Sequence, residues 1–269
     1  MPYADNEGTK LYWEERGSGE PLLLIMGLGY TLDMWHRILP ALAEHYRVIA
    51  FDNRGVGRSD VPPGPYTMAM MASDAAAVMD VAGIEAAHVL GVSLGGMIAQ
   101  EFALQYPARV RSLILGCTTC GGAGAVTAEP EVITALVARA KMTVEEAIHV
   151  MTNYVYDAGT PRERLEEDFE IRRRTYPGSE GYLAQLQATF GWESFSRLSQ
   201  IRVPTLVIHG ESDRLVPPGN GKLLADNIAG ARLAMLPAAS HIFMTDQPEQ
   251  TNQAILSFLA ANRAGSKAV

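Results

Sequence analysis

The chain has 269 residues, 48% of them hydrophobic and 19% charged, which supplies a sizeable core and excludes a disordered polypeptide. Its 22 Lys and Arg against 30 Asp and Glu leave a net charge of −8, which argues against a nucleic-acid partner or an anionic membrane surface, both of which recruit clustered cations. Two cysteines make no disulfide scaffold.

In chain order, residues 3–15 suggest one or two antiparallel edge strands. Short apolar runs at 22–26, 46–51, 88–91 and 110–116 read as strands buried on both faces, because their hydrophobicity is nearly continuous rather than alternating. Amphipathic stretches at 68–83 and 95–106 read as helices between them. The rhythm breaks after a Gly-rich linker at 121–125, where 129–140, 143–155, 161–176 and 180–192 read as four helices with no strand between them. Strands at 205–209 and 231–236 and helices at 219–228 and 250–261 restore the alternation. The expectation is a doubly wound, mostly parallel α/β sheet built from 1–120 and 197–269, with a helical cap at 121–196. No apolar run approaches the roughly 18 residues of a membrane helix. The first residues carry no basic and apolar export signal, so the expected location is cytoplasmic.

Chemistry concentrates at Gly91-Val92-Ser93-Leu94-Gly95, a G-x-S-x-G pattern with an apolar strand entering and a helix leaving. That context implies a sharp turn that projects a serine hydroxyl, where flanking side chains must be tiny. A serine needs a general base, and an acid to orient it. Of six histidines, His88 and His209 lie within strand patterns, while His36, His45 and His149 sit on or at the ends of helices. His241 follows the last strand and a small-residue loop, at the strand end where open α/β sheets assemble sites, and is the expected base. Asp213, in the loop after the 205–209 strand, is the expected acid, with Glu211 as its local competitor.

These features resemble the α/β-hydrolase family, in the branch that carries a helical cap and includes serine esterases and enol-lactonases. The resemblance spans nearly the whole chain. It rests on Met26-Gly27-Leu28-Gly29, Asp52-Asn53-Arg54-Gly55-Val56-Gly57-Arg58-Ser59, the Ser93 motif, His209-Gly210-Glu211-Ser212-Asp213 and Ser240-His241. One departure is Met26, where members commonly carry histidine. The resemblance implies an oxyanion hole from the backbone N–H groups of Leu28 and Leu94, and a structural role for the 52–59 segment.

The expected activity is hydrolysis of small to medium carboxylic esters through an acyl-enzyme, with no metal and no cofactor. A lactonase or a C–C bond hydrolase on the same three residues is the alternative, and a non-catalytic ligand receptor a more distant one. Gly27, Trp35, Met97, Trp192, Val216 and Ile242 adjoin the site in sequence and are the expected substrate contacts. Cys117 and Cys120, spaced C-x-x-C after a core strand, read as small residues crossing toward the cap rather than as a redox pair. The expected partner is a small ester or lactone; the sequence leaves a homo-oligomer open.

Overall fold

The computed structural model describes residues 3–263. β1 (Tyr3–Asn6) and β2 (Thr9–Arg16) form a hairpin whose turn residues, Glu7 and Gly8, have φ of 51° and 85°. That left-handed pair lets a two-residue turn follow the strand twist. β3 (Pro21–Ile25), α1 (Leu39–Ala43), β4 (Arg47–Phe51), α2 (Met68–Val81), β5 (Ala87–Val92), α3 (Leu94–Gln105) and β6 (Val110–Gly116) follow. Next come α4 (Pro130–Ala138), α5 (Val144–Val155), α6 (Arg162–Thr175) and α7 (Ser179–Thr189) with no strand among them. β7 (Thr205–Gly210), α8 (Gly219–Asn227), β8 (Arg232–Leu236), α9 (Phe243–Asp246) and α10 (Pro248–Ala261) complete the chain.

One eight-stranded sheet runs β1-β2-β4-β3-β5-β6-β7-β8, parallel from β4 to β8 with β1 and β2 as an antiparallel edge. Alternate residues of the central strands serve two cores. Leu23, Ile25, Ile49 and Val89 pack with Met71, Ile98 and Phe102 of α2 and α3. Leu22, Leu24, Val48 and Leu90 pack with Leu42, Ile255 and Leu259 of α1 and α10 on the opposite face. Helices on both faces explain why these strands show no polar alternation.

Three details differ from the sequence pattern. β8 is an edge strand paired only with β7, and its Arg232 and Leu233 are exposed rather than buried on both faces. The short α1 and α9 carry too few residues to show a helical period. α7 stops at Thr189, and Gly191 at φ 74° turns the chain before Trp192.

The helical insertion leaves the core after β6 and returns before β7 through a narrow neck. Gly121 bridges Glu193, and Ser194 N–H donates to Cys120 O at 2.8 Å. Among the described residues, no helix is long and apolar enough to cross a membrane.

Candidate active site

Ser93 sits between β5 and α3 with φ 57° and ψ −122°, a conformation L residues rarely adopt. The close approach of neighbouring backbone explains the flanking glycines. A Cβ on Gly95 would overlap Ile25 O, and one on Gly91 would overlap Gly95 O. Ser93 N–H donates to Gly116 O at 2.9 Å, and Thr118 Oγ1 donates to Ser93 O at 2.7 Å, so the turn is pinned to β6 and the loop after it. Backbone strain of this kind, of order 1–3 kcal/mol, persists only where its surroundings impose it.

His241 follows β8. Its Nδ1 lies 2.8 Å from Asp213 Oδ2, in the loop after β7. The other carboxylate oxygen, Oδ1, accepts the N–H groups of Leu215 and Val216 at 2.9 and 2.8 Å. His209 Nε2 donates to Val216 O at 2.8 Å and lies 3.4 Å from Asp213 Oδ2. Burial pushes the Asp213 carboxyl up, but His241 and His209 together outweigh it and hold it at about 2. An ionised Asp213 keeps the proton of His241 on Nδ1 and leaves Nε2 as a base. Glu211, the competing acid in this loop, is exposed.

Ser93 and His241 share a cavity of about 200 Å³ walled mainly by apolar side chains. Neither Ser93 Oγ nor His241 Nε2 bonds to a protein group among the described residues. The Leu94 N–H opens α3, and the Leu28 N–H lies in the loop after β3; neither donates within the described protein. A Cβ on Gly27 would stand 3.1 Å from Ser93 Cβ, so the glycine lets this loop lie against the serine. The loop is tied down from two sides: Asn53 Nδ2 donates to Met26 O at 2.8 Å, and Gly29 N–H donates to Gln185 Oε1 of α7 at 2.9 Å. Around it, Asp52 accepts the N–H groups of Leu32 and Arg58, so the 52–59 segment is a brace for the loop.

Of the expected contacts, Gly27, Leu28, Leu94, Met97, Val216 and Ile242 line the cavity. Trp35 and Trp192 do not. Trp35 is fully buried in the core on the α1 and α10 side of the sheet. Trp192 is held in the neck of the insertion, where its Nε1 donates to Glu101 Oε2 at 2.9 Å. Proximity in sequence misplaced both. The cavity wall also contains Tyr30, Met34, Arg139 and Met151, none of which the motifs indicated. A trace of Arg139 was present: Val132, Ala135 and Arg139 follow one another at helical spacing, and all three are buried.

Cys117, His209 and Asp213 bring their potential ligand atoms within 4.8 Å of one another. These donors are committed elsewhere. Cys117 Sγ donates to Ser240 O and accepts Gly210 N–H, and His209 Nε2 is held by Val216 O. Burial, reinforced by Asp213, drives the Cys117 thiol well above its ordinary value, away from the thiolate that binds metals. The cluster fits a support for Asp213 rather than a metal site. Cys117 and Cys120 are both buried free thiols.

The His241 loop is braced against the insertion. Ile242 N–H donates to Val155 O at 2.8 Å, and Asp246 Oδ2 accepts Ser240 N–H at 2.7 Å while its Oδ1 accepts Asp157 N–H at 3.3 Å. Burial raises the Asp246 carboxyl from 3.8 to about 6, against the donors that favour its ionised form. The folded chain therefore retains this proton at pH values where the unfolded chain has lost it. The resulting stabilisation is complete below 3.8 and disappears as pH rises through about 6, roughly 3 kcal/mol in all. Urea titrations across this window are expected to show stability falling with rising pH in the native protein, and that component missing in Asp246→Asn. Equal slopes in the two proteins would contradict the assignment.

An elbowed serine beside an acid-paired histidine in a doubly wound sheet defines a hydrolase-type architecture. The chain belongs to the alpha/beta hydrolase fold family, whose sequence model matches residues 20–248. A protein from Azorhizobium caulinodans, provisionally assigned as the carbamate hydrolase RutD, is 34% identical over 261 residues, covering 96% of this chain and 98% of its own. The poly(3-hydroxyalkanoate) depolymerase of Ectopseudomonas oleovorans is 33% identical over 246 residues, 90% of this chain and 85% of its own. Among solved structures, the enol-lactonase from Burkholderia xenovorans LB400 superimposes with a TM-score of 0.84 at 29% identity, covering 96% of this chain and 100% of that one.

Proposed function

We propose that the protein is a serine hydrolase of small to medium carboxylic esters, with residues 121–196 as the lid over its site. The observation that carries this reading is one cavity lined by Ser93, by His241 bonded to Asp213, and by the unbonded N–H groups of Leu28 and Leu94. In this reading Ser93 Oγ attacks the acyl carbon as His241 Nε2 takes its proton. The carbonyl oxygen becomes an oxyanion facing the two amides, each worth about 3 kcal/mol at that stage. His241 returns the proton to the leaving alcohol, and water repeats the sequence to release the acid. In both half-reactions the transferred proton passes through His241 Nε2.

The relatives carry several hydrolase names: a provisionally assigned carbamate hydrolase, a poly(3-hydroxyalkanoate) depolymerase and, among solved structures, an enol-lactonase. The last two support the choice of an ester. The enol-lactonase makes a cyclic ester the second reading, and a cavity of about 200 Å³ suits so compact a substrate.

The test is hydrolysis of p-nitrophenyl esters from acetate to decanoate, alongside simple lactones, with a fluorophosphonate probe in parallel. One probe per chain, on Ser93, with turnover best at short to medium acyl length, is the expected result. A lactone preferred over every open ester would move the assignment to lactonase. Absence of both turnover and labelling would remove the serine-hydrolase reading.

A further inference from the structure

The wall of the cavity contributed by the helical insertion carries a cation without a counter-charge. Arg139, 4% exposed, lines the cavity, and its Nε is buried with no acceptor. No carboxylate pairs with it among the described residues. Its guanidinium is boxed by aromatic rings instead, with the centroids of Tyr30, Tyr182 and Tyr176 at 4.9, 5.0 and 5.8 Å. The hydroxyls of Tyr182 and Tyr176 donate to Leu136 O and Arg139 O.

A second arginine shares the Tyr30 ring with the first. Arg172, from α6, is 2% exposed, and its Nε, Nη1 and Nη2 are all buried without a hydrogen-bond partner. It lies 5.7 Å from the Tyr30 ring centroid, so Tyr30 contacts both guanidinium groups. Asp168, the buried acid one turn before it on the same helix, is engaged by Arg37, Tyr156 and Thr245. Burying a cation is costly unless an anion or a full set of acceptors compensates it. The ring faces attract the Arg139 guanidinium and the Tyr176 and Tyr182 hydroxyls lie beside it, but neutral hydroxyls supply no counter-charge and its Nε has no acceptor. The open direction at Arg139 is the cavity.

We propose that Arg139, with Arg172 adding to the local positive field, forms an anion subsite in this cavity, and that the preferred substrates are esters or lactones bearing a carboxylate. The planar guanidinium fork matches a carboxylate in two parallel hydrogen bonds. The site also has a fixed relation to the reacting end. A Cβ on Gly29 would lie 3.3 Å from Arg139 Nη2, so the guanidinium sits against the same loop that presents the Leu28 amide. A molecule with its acyl carbon at Ser93 and a carboxylate at Arg139 would occupy the one cavity that both residues line. A phosphate dianion fits less well, because the remaining wall is apolar and offers few further donors.

This proposal deepens the ester-hydrolase reading and rests on it, so the experiment separates the two. The mono-p-nitrophenyl ester of glutaric acid and its methyl-capped, neutral counterpart are compared in the native protein, in Arg139→Met and in Arg139→Lys. The native protein is expected to favour the anionic ester in kcat/KM by about 10- to 150-fold, the range of a lost charge-assisted hydrogen bond. Arg139→Met should abolish that preference, read as the ratio of kcat/KM for the anionic and neutral esters within each protein, and Arg139→Lys should retain part of it. If neither ester is turned over, the hydrolase reading fails. The subsite is then read separately, as protection of the native protein against thermal unfolding by free glutarate, expected to be absent in Arg139→Met. A native protein indifferent to the carboxylate, or a variant that loses both esters equally, overturns the subsite and leaves the hydrolase reading standing. Should Arg139→Met fail to fold, the native preference and Arg139→Lys decide.

Discussion

Replacing Ser93 by alanine is expected to lower kcat on the best p-nitrophenyl ester by about 100,000- to 1,000,000-fold. The hydroxyl makes no bond within the described protein, so its loss removes the proposed nucleophile and disturbs nothing that holds the turn. The pins on the turn are backbone ones, to Gly116 O and from Thr118 Oγ1, and alanine keeps both. His241→Ala should cost about as much, since a serine without a base is a poor nucleophile at its own pKa. The double variant should be no slower than either single one, because the two groups act as one unit and the second removal finds nothing left to disable. A residual rate above that in water is expected in all three, supplied by the Leu28 and Leu94 amides and by the cavity itself. Burst and steady-state kinetics on one ester across the four proteins check each point. A Ser93→Ala protein that kept even about a tenth of the native rate would end the nucleophile assignment.

What could be read from the sequence follows from how local each feature is. The elbow around Ser93 was legible because five consecutive residues and the strand before them encode it: the glycines are forced by contacts with Ile25 O and Gly95 O only a few residues or one strand away. Asp213 and His241 were legible because a doubly wound sheet returns every parallel strand to the same edge, so strand order alone brings three distant loops together. The cavity wall was not. Trp35 and Trp192 adjoin the site along the chain but point into the core and the neck. Arg139 and Met151 reach the cavity only because the insertion folds back over the sheet, a packing that no short pattern specifies. The same reason hides Gln185, which grips the Leu28 loop from α7 and, through its Nε2, donates to Arg54 O at 2.7 Å. β8 looked like its neighbours because its apolar residues are as dense, although its outer edge has no strand to cover it.

The second large effect belongs to Asp213. Asp213→Asn is expected to lower kcat about 10,000-fold with the fold retained. The orientation of the new amide is decided by the loop. Two N–H groups, from Leu215 and Val216, converge on the Oδ1 position, so the asparagine oxygen must stay there to accept them. Its NH2 group is then forced into the Oδ2 position, 2.8 Å from His241 Nδ1. Nδ1 must turn from donor to acceptor, which moves the imidazole proton to Nε2, the nitrogen that should have received the proton of Ser93. The ring stays in place and loses its basic face. His209 cannot compensate, because its Nε2 is committed to Val216 O. The stability record of the same variant should agree in sign. A carboxyl held at about 2 against 3.8 when unfolded stabilises the chain at all pH values above 3.8, and that contribution, about 2 kcal/mol, is lost as pH falls through about 2. Asp213→Asn should therefore be less stable than native at neutral pH and draw level with it in strong acid, and Glu211→Gln, altering an exposed side chain, should change neither rate nor stability. Equal kcat for Asp213→Asn and the native protein would show that the tautomer of His241 is set by something other than this carboxylate.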